Sequence, residues 1–532
     1  MPNPTPALSR RRLLGTAAGV LAAPAVRASD HARVLTFIPQ SDLSVLDPVF
    51  SAAYVTRHHG MMVFDTLYGM DAHQIIQPQM AEGHRVEDDG KTWVIGLREG
   101  LLWHDGERVL ARDCVASIRR WGARDGFGQT LLAATEALEA PEDRTIRFRL
   151  KRPFPLLLAA LGKPGSNVCL MMPERLAATD PFRQVTEMTG SGPFRFIAKD
   201  RVPGALVAYE RNTAYVPRPN GVASFTAGPK IVHVDRVEWH VTPDPATAAA
   251  AMRTGERDWW EAPTFDLLPM LAAVKTLTVA PPDPRGYISG LRFNHTHPPF
   301  NNPALRRALL GAVSQEDYMT AVATTDRSNW RDGVGVFCPS SPMASAAGME
   351  ALTGPRDREA VKRAVAASGY KGERAVVPVP TDFPSLKALG DVGVDMLQQA
   401  GIAVEPRYTD WGSMLQLLGK TGPVEEGGWS AFHTTWSGLD QFDPAVHVWI
   451  RGNGRAASRG WPDSPRLETL REEWLTTEDD GARQRIAADI QRQVFTDVPY
   501  VPVGQSLPRT VHQRTVTDVL TGYALFWNLR KG

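Results

Sequence analysis

Cysteine is scarce: Cys114, Cys169 and Cys338 are the only three in 532 residues. An odd number cannot pair completely within one chain, and no two stand in a CxxC spacing, which excludes a disulfide-stapled scaffold and a CxxC zinc or redox site. A Cys114–Cys169 bridge stays open; otherwise these thiols read as small buried hydrophobes. Net charge is equally scarce. Lys+Arg 59 against Asp+Glu 58 leaves +1, so there is no basic field for nucleic acid. Hydrophobic residues at 43% and charged residues at 22% are ordinary globular usage, against wholesale disorder and against a polytopic membrane protein. Also missing are GxSxG, HExxH, the phosphate-binding P-loop and GxGxxG.

What is present starts with an unusual leader. Residues 1–28 carry Arg10, Arg11, Arg12 and Arg27 and no acid, so the chain without them has net charge −3 instead of +1. A charged start, an apolar stretch from Leu13 to Val26 and small residues before a cut after Ala28 read as a secretory signal peptide. The stretch is too short for a membrane span of about 20 apolar residues, and it contains Gly15, Gly19 and Pro24. The order from Ser9 to Leu14 (SRRRLL) resembles the twin-arginine export signal. No cysteine lies near the cut, which argues against a lipid anchor.

At roughly 150 residues per domain the length suggests two to four lobes, and Gly 45 with Pro 42 indicates many turns. Period-two alternation at Trp93–Leu97 and Ile146–Leu150 predicts half-buried strands, while Cys114, Ile118 and Trp121 fall at helical spacing between them. Asp244-Pro245 and Asn302-Pro303 each set a capping residue before a proline, predicting helix starts. Leu386, Leu389, Met396 and Leu397 form a helical stripe stopped at Ala400-Gly401, with a strand expected over Ile402–Val404. Ile486, Ile490 and Val494 make another stripe. Irregular alternation of strands and helices gives an α/β class with mixed sheets.

Two candidate chemistries leave partial marks in the sequence. Ser368 to Lys371 matches SxxK and Lys420 to Gly422 matches KTG, marks of penicillin-recognising serine enzymes with Ser368 as nucleophile. The serine should then open a helix, yet the helical stretch precedes Ser368, with Gly369 as its C-terminal stop, and no Ser-x-Asn stands between the motifs. His58-His59 and His295/His297 lack a nearby Cys or carboxylate partner, so surface or strand-end histidines are expected, with no metal or cofactor.

Five ordered segments then stand within forty residues: PQMAEG at 78–83, DDGKTW at 88–93, LREG at 97–100, WHDG at 103–106 and ARDCV at 111–115. Further matches are GSGPF at 190–194, RNTAY at 211–215, GERD at 255–258, FNHTHPPF at 293–300 and VPYVPV at 498–503. This series resembles the family 5 solute-binding proteins, the dipeptide, oligopeptide and nickel receptors of bacterial ABC importers. Cys114 stands where the family usually has an aliphatic residue, and Ser191 replaces a common Thr. Asp88-Asp89-Gly90 and His104-Asp105-Gly106 are turn chemistry, so the series speaks for fold and class rather than solute.

The resemblance implies a two-lobed α/β periplasmic binding fold, the ligand cleft lying between the lobes. The expected division is a signal peptide at 1–28, a first lobe at 29–285 and 501–532 with a family-specific subdomain at 70–185, and a second lobe at 286–500. It implies a soluble periplasmic monomer that is not an enzyme, exported by the twin-arginine machinery and delivering its solute to an inner-membrane ABC permease after hinge closure. A short peptide is the first choice of ligand; nickel or a metal chelate, a sugar, an opine or another small organic solute are alternatives. In peptide-binding relatives a Trp-x-x-Asp stretch before an Asp-Pro pairs with the peptide ammonium. Trp436 to Asp440, ahead of Asp443-Pro444, matches with one extra residue, so Asp440 is either that ligand partner or a turn residue. Trp436 and Trp429 are cleft wall or core, and His433 and Tyr54 complete the candidate site.

Overall fold

The computed structural model describes residues 33–532; the expected signal segment lies outside them. Local chemistry sets most elements. Asp244 caps the helix Pro245–Thr254 by accepting from the Thr247 N–H, and Asn302 caps Pro303–Ala308 through the N–H groups of Ala304 and Leu305. The stripe at 386–397 lies on the helix Pro384–Gln399. Its end is a Schellman motif: Gly401 has φ +92°, its N–H bonds to Gln398 O, and the Ile402 N–H bonds to Leu397 O at 3.0 Å. Ile402 thus belongs to the helix cap, and the strand expected from 402 begins only at Val404 and runs to Thr409.

A seven-stranded mixed sheet builds the first lobe, in the order Phe194–Phe196, Leu206–Arg211, Arg236–His240, Val34–Ile38, Trp259–Trp260, Thr510–Gln513 and Leu277–Ala280. Val34–Ile38 runs parallel to both neighbours, and the remaining pairs are antiparallel. Phe37 meets Trp239, Trp259 and Phe526 with ring centroids 5.0–5.7 Å apart, so residues from both ends of the chain fill one core.

A separate antiparallel layer holds Ala81–Glu87, Thr92–Leu97, Thr145–Leu150 and Thr135–Glu142. Trp93 lies opposite Phe148 and Ile95 opposite Ile146. All four, with Cys114, Ile118 and Trp121 of the helix Ala111–Gly122, join one buried cluster.

The second lobe centres on the antiparallel strands Trp330–Arg331, Tyr500–Ser506, Tyr287–Phe293 and Ala431–Ser437. Residues 281–286 form the first crossing from the seven-stranded sheet to this one, and residues 507–509 the second, leading back. The strand Tyr500–Ser506 pairs with Tyr287–Phe293 despite Pro502, through a register shift between Ile288 and Gly290 beside that proline. At the first crossing Gly286 has φ +53°, and a Cβ there would sit 2.3 Å from Ser506 O. Only glycine permits so close an approach of the two crossings. All three cysteines are free, buried thiols, so Cys114 and Cys169 do not pair.

Candidate functional site

Tyr54 opens the helix Tyr54–Val63, whose apolar side chains pack in the first lobe. Asp440 lies in the turn Gly438–Gln441 that follows the second-lobe strand Ala431–Ser437. The two lobes meet through these residues. The Tyr54 hydroxyl donates to Asp440 Oδ2 at 2.9 Å and accepts from the Ser437 N–H at 2.6 Å, while the Ser166 N–H donates to Asp440 Oδ1 at 2.6 Å. Burial, reinforced by the Asp440 charge, raises the Tyr54 pKa well above the usual phenol range, so the phenol keeps the proton it donates. Leu439 packs into the first lobe's cluster beside them. Further out, Arg152 pairs with Glu472, and Arg471 Nη2 donates to Thr130 Oγ1 at 3.3 Å. The lobes are closed on each other.

Behind this seam lies a cavity of about 40 Å³, bounded by Arg57, Trp259, Glu261, Tyr287, Ser437 and Tyr523 among others. The Arg57 guanidinium lies over two rings, 3.8 Å from the Tyr523 centroid and 4.5 Å from that of Tyr54. Glu261 accepts the Gln40 N–H at 2.8 Å, and its other oxygen is 3.3 Å from His58 Nδ1. Burial pushes the Glu261 carboxyl up to about 7, against the pull of the Gln40 bond and of Arg57. The same burial holds His58 well below the ordinary imidazole range, with the Arg57 charge adding to it, so that ring is neutral. The site thus offers a cation, a carboxyl that changes charge near neutrality, and aromatic walls.

The profile of the bacterial extracellular solute-binding proteins, family 5, middle region, matches residues 76–457. The chain belongs to this family. It is 35% identical over 496 residues, 92% of each chain, to a probable peptide ABC transporter periplasmic-binding protein of Sinorhizobium fredii. In fold this family 5 chain is similar to the binding protein AgaA of A. tumefaciens R10 in complex with agropinic acid (TM-score 0.78, 18% identity, 94% of this chain and 99% of that one). It is equally similar to the protein DppA of Helicobacter pylori in complex with the peptide STSA (TM-score 0.78, 20% identity, 95% and 99%). The family is one of solute binders rather than catalysts.

The family 5 fold brings two of the sequence candidates, Asp440 and Tyr54, into direct contact. Trp436, half-buried on the strand Ala431–Ser437, lies opposite Ile288 and packs against Trp449 at 5.7 Å. Trp429 and His433 sit elsewhere: both are core residues of the second lobe. Trp429 fills a cluster with Met414, Leu418 and Phe432. His433 bonds to the Tyr318 hydroxyl at 3.0 Å, and burial lowers it to about 3. Its ring fills the space where a Cβ on Gly393 would stand, which fixes it inside the lobe.

Ser368 ends the helix Arg358–Ala367 instead of opening one, and its hydroxyl donates to Val365 O at 2.6 Å. His58 and His59 are buried, not at the surface: His59 Nδ1 is 2.8 Å from the Tyr209 hydroxyl, and burial lowers its pKa to about 3. His295 follows the end of the strand Tyr287–Phe293. No group of three metal-ligating side chains exists among the described residues. Sequence reasoning missed Arg57 and Glu261. The one available signal was Arg57 next to His58-His59 in a segment otherwise apolar enough to be buried.

Proposed function

We propose that this family 5 protein captures a short peptide between its lobes in the periplasm and delivers it, by hinge closure, to an inner-membrane ABC permease. The observation that carries the reading is the cavity at the lobe seam, where Arg57 supplies a cation, Glu261 a carboxyl that changes charge near neutrality, and Tyr287, Tyr523 and Trp259 apolar walls. A zwitterion with an apolar body is the solute that such a lining complements. The printed name of the Sinorhizobium fredii relative, a probable peptide transporter component, points the same way. A cavity of about 40 Å³ is far below the roughly 300 Å³ at which small-molecule sites begin. A bound peptide therefore holds the lobes further apart than they stand in this closed form.

In the same reading Asp440 acts as a latch between lobes, both of its oxygens already accepting hydrogen bonds from the first lobe. The protein works as a monomer after twin-arginine export. Native mass spectrometry of protein purified from the periplasm without refolding tests the ligand. A co-purifying peptide mass is expected; a sugar, opine or metal chelate in its place overturns the peptide assignment.

A further inference from the structure

Arg57 is only 4% exposed, and a guanidinium does not give up its proton inside a protein. Its Nη2 lies 3.2 Å from His58 Nε2. Among the described residues, Nε and Nη1 are buried without any hydrogen-bond partner. A buried charge left in this state is strongly unfavourable unless the site is completed by an acceptor of opposite charge. Everything around it holds the group in position for one. The rings of Tyr54 and Tyr523 both lie against the guanidinium, and neither ring supplies an acceptor to its free N–H groups. Of the two carboxyls that line the same cavity, Glu261 is held by Gln40 and lies against His58, and Asp283 pairs with Arg285, so neither pairs with Arg57.

We propose that Arg57 is the anion anchor of the cleft and takes a carboxylate of the solute enclosed between the lobes. This rests on the reading of the cleft as the solute site, and it deepens that reading by giving one end of the ligand its chemistry. The first lobe provides the cation and the two rings against it, and the second lobe provides Tyr287 and Ser437 on the other side of the cavity. A carboxylate brings two acceptor oxygens and a full negative charge to a group that lacks both, and charge-assisted bonds of this kind are the strong ones. Glu261, whose burial favours its neutral form up to about pH 7, competes weakly for the same cation.

The test compares acids with their amides on purified protein: trialanine against trialanine amide, and sodium acetate against acetamide, each read as a shift in melting temperature. Both acids should stabilise the wild type and both amides should not. Arg57→Gln should weaken the response to trialanine by about 30-fold or more in half-saturating concentration, as expected when one partner of a buried charge pair is removed. Arg57→Lys, which keeps the charge without the planar donor array, should fall between. Should Arg57→Gln not fold, Arg57→Lys and Tyr523→Leu carry the same comparison. Equal effects of acid and amide, undiminished responses in the Arg57 variants, or no response to either acid overturn the anchor. If trialanine and its amide stabilise equally, the peptide reading stands and the anchor fails. If acetate acts through Arg57 while trialanine has no effect, the anchor stands and the peptide reading fails.

Discussion

Gly165 allows a perturbation that acts on one state of the hinge only. A Cβ built on it would lie 2.6 Å from Asp440 Oδ1, with no other residue's atom near except the Asp440 carboxyl carbon at 3.5 Å. In Gly165→Ala the first lobe accommodates its new methyl group unaided, and the only contact made impossible is the one across the seam. Asp440 must withdraw and lose the 2.6 Å bond from the Ser166 N–H. A hydrogen bond to a charged group contributes about 1.5–3 kcal/mol. At 1.4 kcal/mol per decade, the ratio of closed to open unliganded protein should fall roughly 10- to 150-fold.

Single-molecule energy transfer can read that ratio, with dyes on Lys199→Cys in the first lobe and Lys371→Cys in the second, both exposed positions; the three native thiols are buried. Asp440→Ala, which also removes the bond from Tyr54, should show a shift at least as large, and adding Gly165→Ala to it should add little, because the Ser166 bond is already gone. An unchanged closed population in Gly165→Ala refutes the latch. So does an additive double variant, which would mean that the methyl group acts somewhere other than on Asp440.

Glu261→Gln tests the buried carboxyl by stability. The folded protein holds this proton up to about pH 7 while the unfolded chain releases it near 4.5, so Glu261 lowers stability as pH rises across that window, on the order of 3 kcal/mol in all. Urea unfolding at pH 4.5 and pH 8 should show the Gln variant gaining on the wild type at the higher pH, and parallel profiles would count against the raised carboxyl. The thiols give a further check. Burial raises Cys114, Cys169 and Cys338 above the usual thiol range, so a thiol reagent should leave the native protein unlabelled and modify all three after denaturation. A native protein that reacts at once would place at least one of them at the surface.

Elements that depend on local chemistry were legible. Asp244-Pro245 and Asn302-Pro303 name their helix starts because an acceptor side chain and a missing N–H are both local properties. Strand pairing over distance was less so. Prolines at 499 and 502 read against a sheet strand, yet Tyr500–Ser506 lies between two neighbours because its partner shifts register beside Pro502. In the site, Asp440 was named by resemblance to a family stretch and Tyr54 as a further candidate, and the fold joins them. Their contact spans 386 residues of chain, and no periodicity reports that. Nor does any periodicity mark Arg57, because the residues Val55 to Val63 are buried on every side of the helix and leave no polar face to contrast with. His433 and Trp429 share that difficulty: the helix Pro384–Gln399 covers the strand that carries His433, and Trp429 is enclosed by Met414, Leu418 and Phe432.

The first lobe is completed late. Its sheet keeps a gap between Trp259–Trp260 and Leu277–Ala280 until Thr510–Gln513 enters it, and Phe526 must reach the rings of Phe37, Trp239 and Trp259. The second lobe's central sheet, in contrast, draws on one continuous stretch, 287–506. On a ribosome that delivers the chain from its N-terminus, the lobe made largely of the earliest residues is therefore the last to close. A chain stopped at 507 could still form the second lobe's central sheet, but its first lobe would expose the strand edges and aromatic faces that attract chaperones. Full synthesis, rather than the appearance of each lobe in turn, is the point at which this protein becomes competent to bind.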